Sequence, residues 1–335
     1  MPATFQVGID LGTSRSTITT STGQRFTTAT CVGHCKDVIA RKRFGRDYLL
    51  GEEAVANRLA LNMVWPLAEG VVCEEASAVE ATRLVLQHLL EQALPEQQPG
   101  DQVYAAIGVP ARASLRSKKV IVQIAQPLVD KLLIVSEAFA VAYALDRFDE
   151  CLIVDIGAGT TDLCRMHGAF AEEADQITLT EAGNYLDQIL HDAILQKYPD
   201  VQLSARIVRT IKEKHGYISD TTEPVTVQLT RQGIPAEYDL ADILQHSCLQ
   251  LAQPISQAIQ TLVGSFDPDF QAALRQNIII AGGGSRLQGI DKAIEKSLAD
   301  YGGGHAICVD DAEFCGSTGT LKLCADMPDE YWEQL

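Results

Sequence analysis

Two aspartates stand near the ends of apolar runs, each followed closely by glycines and hydroxyl residues. The first run is Phe5-Gln6-Val7-Gly8-Ile9-Asp10-Leu11-Gly12-Thr13-Ser14, and the second is Cys151-Leu152-Ile153-Val154-Asp155-Ile156-Gly157-Ala158-Gly159-Thr160-Thr161-Asp162. Asp10 and Asp155 lie 145 residues apart, so the chain divides into two halves that open alike. Glycine admits close approach and positive φ, so successive backbone N–H groups of a tight turn can converge on a phosphate. Thr13, Ser14, Thr160 and Thr161 add hydroxyl donors. Each aspartate would repel a phosphate directly. Its chemistry suits Mg²⁺ or the water around it, bridging the phosphate oxygens. Two such hairpins facing each other would grip a nucleoside triphosphate between two domains. A single copy reads as well as a strand ending in a polar turn, and the matched pair weakens that simpler interpretation.

These turns need strands to carry them. Each run leads into a further strand, at 16–20 and 163–166. A third glycine cluster, Asn277-Ile278-Ile279-Ile280-Ala281-Gly282-Gly283-Gly284-Ser285-Arg286, follows a buried-strand pattern. Apolar residues at Leu287, Ile290, Ile294 and Leu298 predict a helix over 287–298. Strand, glycine turn and helix suit a sugar or a base lying against bare backbone. Neither a Gly-Lys-Ser/Thr P-loop nor a GxGxxG fingerprint occurs, which disfavours Walker-type kinases and Rossmann dehydrogenases.

Composition narrows the class further. With 335 residues, 46% hydrophobic and 21% charged, two domains are expected. A formal net charge of −17 has the wrong sign for coating nucleic acid or an anionic lipid surface. The apolar runs fall short of the roughly 18 residues of a membrane-spanning helix. Met1 to Phe5 carries no basic region leading into an apolar stretch, so the chain is expected to stay in a reducing cytosol, where nine unpaired cysteines fit. Cys31, His34 and Cys35 lack the second ligand pair of a structural zinc site. The seven histidines adjoin no Ser or Cys nucleophile motif, leaving hydrolase-triad chemistry unsupported.

The order of hairpin, second hairpin and Ala-Gly-Gly-Gly-Ser strand-turn-helix resembles the actin, sugar kinase and heat-shock chaperone ATPase superfamily over essentially the whole chain. Ile211-Lys212-Glu213-Lys214-His215-Gly216-Tyr217 is similar to the actin segment that reaches ribose and adenine. Ile107-Gly108-Val109-Pro110-Ala111-Arg112-Ala113-Ser114 and Pro328-Asp329-Glu330-Tyr331-Trp332-Glu333-Gln334-Leu335 are similar to segments of the magnetosome-associated bacterial actins. The fold implied is α/β, an actin-like ATPase fold of two ribonuclease H-like halves flanking a nucleotide cleft. Its domains are 1–150, with an insertion at about 31–68, and 151–335, with an insertion at about 186–252 and a chain end able to pack back on the first domain.

The resemblance implies ATP or ADP and Mg²⁺ as cofactors. It places Asp10 and Asp155 around the metal, and Gly12, Thr13, Ser14, Gly157, Gly159 and Thr160 around the phosphates, with Thr161 beside them. Gly183 and Asn184 would lie near the ribose, Lys212 and Glu213 at the base and sugar, and Gly282, Gly283, Gly284 and Ser285 near the adenosine. On the residues alone, Lys212 and Glu213 read as a solvated helix face. Glu137 falls where bacterial actins carry the glutamate that orients the attacking water, with Ala138 in place of the usual proline. No lysine follows the first hairpin; Arg15 is the nearest cation.

The activity implied is ATP hydrolysis stimulated by filament assembly. The partners implied are further copies of this chain, joined head to tail, and magnetosome-associated adaptor proteins, with no direct contact to nucleic acid and no membrane insertion. The setting is a cytoplasmic filament along a magnetosome chain. A plasmid-segregating actin is the main alternative, and a monomeric sugar kinase-like enzyme the lesser one. Residues 31–47 carry five basic and two acidic residues, and residues 310–335 carry seven acidic and one basic, an opposition expected to make head-to-tail contacts salt-sensitive.

Overall fold

The apolar run through Asp10 forms β1 (Thr4–Leu11), and the glycine turn sends the chain back as β2 (Arg15–Thr20) and β3 (Arg25–Ala29), in a computed structural model that describes residues 2–219, 224–328 and 332. A small sheet of β4 (Val32–Cys35), β5 (Tyr48–Leu50) and β6 (Leu61–Val64) follows, in the order β5-β4-β6. It carries α1 (Val38–Phe44) and α2 (Gly51–Ala56) around a core that includes Cys31, Leu49, Ala54 and Leu61. A two-stranded ribbon, β7 (Leu67–Ala68) and β8 (Val71–Val72), leads into α3 (Ala76–Ala93). The helix buries Ala78, Ala81, Leu84, Val85 and Leu89, the spacing of one helical face. Then come β9 (Gln102–Val109), α4 (Leu115–Ala125), β10 (Lys131–Ser136) and α5 (Glu137–Ala144). The sheet order is β10-β9-β1-β2-β3, with β1, β9 and β10 parallel.

The second half repeats the plan. Strands β11 (Cys151–Ile156), β12 (Thr161–Met166) and β13 (Gln176–Leu179) make an antiparallel meander. The chain continues through α6 (Gly183–Lys197), β14 (Val201–Gln202), α7 (Ala205–His215), β15 (Thr226–Arg231), β16 (Ile234–Asp239) and α8 (Ala241–Leu249). It ends in α9 (Ala252–Gly264), α10 (Pro268–Gln276), β17 (Ile278–Ala281), α11 (Ile290–Ser297) and β18 (Ala306–Cys308). The order β13-β12-β11-β17-β18 matches the first sheet, strand for strand, in the sense of its pairings. Strands β14, β15 and β16 form a separate sheet, whose core joins Leu190, Ile194, Val208, Ile211 and Leu244.

The chain forms two compact units, Met1–Phe148 with Glu313–Leu335, and Asp149–Ala312. The stretch from Glu313 on, drawn on the sequence within 151–335 with an end able to pack back, groups with the first unit. Helix α12 (Cys315–Asp326) lies on β1 and α5 of the first unit. The reason is close backbone approach: a Cβ on Gly8 would fall 2.1 Å from the Ser317 carbonyl oxygen, and one on Gly319 only 1.7 Å from that of Ala140. The ending Pro328–Leu335 lies mostly outside the described residues. Trp332 is described, and its Nε1 donates to the Met327 carbonyl at 3.2 Å.

The helix expected over 287–298 begins three residues later. Residues Gly283–Arg286 form a 3₁₀ turn, the Ile218 N–H donates to the Gln288 carbonyl at 2.8 Å, and the chain turns into α11 only after Gly289, at φ 82°. Glu295 on this helix accepts from Lys292 (2.8 Å), His305 (2.8 Å) and the Ala306 N–H (3.0 Å), fastening α11 to β18. Burial works against its charge, yet these donors outweigh it and lower the carboxyl from the ordinary 4.5 to about 2. A depressed folded-state value contributes stability that is present above about pH 4.5 and lost as pH falls toward 2. Glu295→Gln is accordingly expected to flatten the acid limb of a Tm-against-pH curve in that window; an acid limb identical to that of the parent would contradict the linkage.

Candidate functional site

In the first unit, the register Asp10↔Gly108↔Val135 aligns the carboxyl ends of three parallel strands. In open α/β sheets this end is where ligands bind. Asp10 sits there half-buried, and a Cβ on Gly316 would lie 2.7 Å from its Oδ2, so the start of α12 backs the carboxylate. Glu137 opens α5 directly after β10, and its Cγ would be 3.4 Å from a Cβ on Gly108. It thus stands beside the strand that pairs with Asp10. Ala138 is fully buried, so packing supplies the restraint that a proline would otherwise give to the start of this helix.

The hairpin Gly12–Ser14 is held by its neighbours. Thr13 Oγ1 accepts from the Gly70 N–H at 2.9 Å, tying the turn to the β7–β8 tip, and the Thr30 hydroxyl donates to the Gly12 carbonyl at 2.7 Å. Arg15 is turned away into an ion pair with Glu52 at 2.9 Å.

In the second unit, Asp155 pairs with Asp162 across β11–β12 and with Ala281 across β11–β17. Gly282 takes φ 71°, and a Cβ there would lie 2.3 Å from Asp155 Oδ1. The glycine turn and the aspartate are therefore brought together, in a way that only a residue without a side chain allows. The Ser285 hydroxyl donates to the Gly282 carbonyl at 2.8 Å, bracing that turn. Asp162 is buried and accepts from the Thr178 hydroxyl at 2.6 Å.

Within the second hairpin the Gly157 N–H is spent on the Thr160 carbonyl (2.8 Å), and the Thr161 hydroxyl donates to the Glu181 carbonyl (2.8 Å). Thr161 thus anchors the next turn, and Thr160 is buried. Gly183 and Asn184 open α6 and give their N–H groups to the Gly157 and Ala158 carbonyls at 3.0 and 2.7 Å. Glu213 is exposed on α7. Lys212 is turned toward α6 instead, its Nζ 2.7 Å from Asp187 Oδ1 and 2.6 Å from the Gly183 carbonyl. Asp187 and Arg209, which pair at 3.1 Å, were not marked by the sequence motifs. Their signal was helical spacing: Asp187 is one turn past Gly183, and Arg209 and Lys212 share a face.

Among the described residues no three His, Cys, Asp or Glu side chains gather to hold a metal. The Asp10 carboxylate in the first unit and the Asp155 carboxylate in the second each offer the hard oxygens that a hydrated Mg²⁺ takes. No helix among the described residues is long and apolar enough to cross a membrane.

The family model for MreB/Mbl protein matches residues 4–329. The chain is 40% identical over 330 residues to the "Actin-like protein MamK" of Paramagnetospirillum magneticum (strain ATCC 700264 / AMB-1), covering 98% of this chain and 94% of that one. It superposes on the solved "MamK double helical filament" with a TM-score of 0.94 at 38% identity, covering 97% of this chain and 100% of the other. A non-polymerising MamK mutant bound to AMPPNP, also 38% identical, matches with a TM-score of 0.74 over 97% of this chain and 100% of that one.

Proposed function

This chain belongs to the MreB/Mbl family, and from that premise we propose that it is a polymerising actin-like ATPase whose filaments position magnetosomes. One observation carries the proposal: each unit places an aspartate one residue before the end of its first strand, ahead of a glycine hairpin, on sheets of one plan, with the Gly282 turn against Asp155. The similarity to filament-forming and AMPPNP-bound MamK supports the same conclusion.

In this proposal both hairpins serve one nucleotide. Backbone N–H groups about Gly12–Ser14 and Ala158–Thr160 meet the phosphates and take up negative charge without a mobile side chain. Asp10 and Asp155 would hold an Mg²⁺, which when bound would neutralise phosphate charge. Gly183, Asn184 and Glu213 face the sugar, and Gly282 to Ser285 the adenosine. Glu137 accepts a hydrogen bond from the attacking water and fixes its line of approach, since phosphoryl transfer depends mainly on positioning and charge stabilisation. Assembly brings that residue into play, so ATP favours the polymer and hydrolysis releases it.

Electron microscopy of the purified chain with and without Mg-ATP tests the filament, and a fluorescent tag in cells tests whether it follows the magnetosome chain. Filaments that require nucleotide and trace the organelles are expected. Monomers under all conditions, or a polymer that follows a plasmid, would overturn the respective part. The basic face of α1 adds a check. Arg41, Lys42 and Arg43 stand in its last turn, and Arg41 pairs with the exposed Asp47 at 3.1 Å. Reversing all three charges is expected to raise the critical concentration several-fold and to weaken its dependence on salt. Unchanged assembly in both respects would remove these residues from the contact.

A further inference from the structure

Helix α7 is fastened, along its length and just past its C-terminus, to segments next to turns that the proposed function gives to the nucleotide. Near its middle, Arg209 Nε and Lys212 Nζ reach Asp187 Oδ2 and Oδ1 at 3.1 and 2.7 Å. Arg209 Nη2 also donates to Asn184 Oδ1 at 2.9 Å, and Lys212 Nζ to the Gly183 carbonyl at 2.6 Å. Beyond its C-terminus, the Ile218 N–H donates to the Gln288 carbonyl, within the stretch that joins the Gly282 turn to α11.

The first of these attachments has a geometric consequence. Gly183 and Asn184, which Lys212 and Arg209 hold, donate to the carbonyls of Gly157 and Ala158. A trans peptide is planar, so its N–H points opposite to its C=O. Fixing the Gly157 and Ala158 carbonyls on one side therefore aims the N–H groups of Ala158 and Gly159 to the other. These are hairpin donors left for a phosphate once the Gly157 N–H is spent within the turn.

We propose that Asp187, Arg209 and Lys212 are positioning residues that orient the second phosphate hairpin through the start of α6, and that Lys212 acts in this way rather than as a contact to the base. The Asp187 and Lys212 side chains are 10% and 14% exposed, so their attraction is screened far less than that of a surface pair. Neutralising either one leaves the other without its main partner and frees α6 to shift against the hairpin. The proposal rests on the nucleotide reading above, and wild-type protein separates the two.

The experiment measures the affinities of wild type, Lys212→Met, Lys212→Arg and Asp187→Asn for ATP, ADP, GTP and adenosine by competition against a fluorescent nucleotide, with circular dichroism as the folding check. A misaimed hairpin is expected to weaken ATP and ADP by about tenfold in Lys212→Met and Asp187→Asn. Adenosine affinity and the ATP-to-GTP ratio should stay within about twofold of wild type, and Lys212→Arg should recover most of the loss. Should Asp187→Asn not fold, Lys212→Met and its arginine control carry the test. A changed ATP-to-GTP ratio with phosphate-dependent affinity intact would make Lys212 a base contact and overturn the proposal, as would unchanged affinities throughout. Wild type that binds no nucleotide would overturn the functional reading itself, and the brace with it.

Discussion

Glu137→Gln is expected to slow phosphate release from assembled protein by about a hundredfold or more while leaving ATP affinity within about twofold. The side chain stands at the first position of α5, immediately after a strand whose neighbour pairs with β1 at Asp10. It is outside both hairpins, so the phosphate donors persist when it changes. Glutamine keeps the size and one acceptor oxygen but loses the charge that draws a water proton, and a well-placed general base or water-orienting group contributes about two to four orders of magnitude. Filaments of the variant should form and then outlast those of the parent. A burst-free phosphate assay with rates within twofold of wild type would take Glu137 out of the reaction.

Gly319→Ala should be strongly damaging, lowering stability by about 3 kcal/mol or more. The added Cβ would lie 1.7 Å from the Ala140 carbonyl oxygen, a backbone atom of α5 that has no rotamer by which to retreat. Helix α12 would have to move off α5, and both would lose their seating on the sheet. At this chain length the loss corresponds to a Tm lower by about 4 °C or more. Because α5 begins at Glu137, surviving folded protein should also release phosphate more slowly. Gly264→Ala is the control: its Cβ would meet nothing within 4 Å at the end of α9, and it should leave Tm nearly unchanged or slightly raised. A Gly319→Ala protein melting within about 2 °C of wild type would contradict the packing described.

What could be read in the chain itself divides along a physical line. Asp10 and Asp155, each at the end of an apolar run and before glycines, mark the repeated halves because strand, turn and returning strand are local events. Gly282 was legible for the same reason, standing directly after four buried residues of β17. The destinations of side chains were not local. Thr13 meets Gly70, Thr161 meets Glu181, and Lys212 meets Asp187, partners from 20 to 57 residues away. A helical face for Lys212 follows from spacing, but its ion pair depends on how α6 and α7 pack. That the chain end could pack back on the first domain was expected, but not which residues of α12 would seat it. Its Gly316, Ser317, Gly319 and Thr320 look like weak helix formers until the tight contacts with β1 and α5 explain them. The helix expected from Leu287 starts late because the chain is pinned at Gln288 by Ile218, a contact from another element.

The central claim is that nucleotide hydrolysis belongs to the polymer. Its most direct test is phosphate release and pelletable protein measured together across a protein concentration series in Mg-ATP. The account predicts that both stay near baseline below a critical concentration and rise in parallel above it. Release proportional to total protein at every concentration, with nothing in the pellet, would contradict it and describe a monomeric ATPase instead.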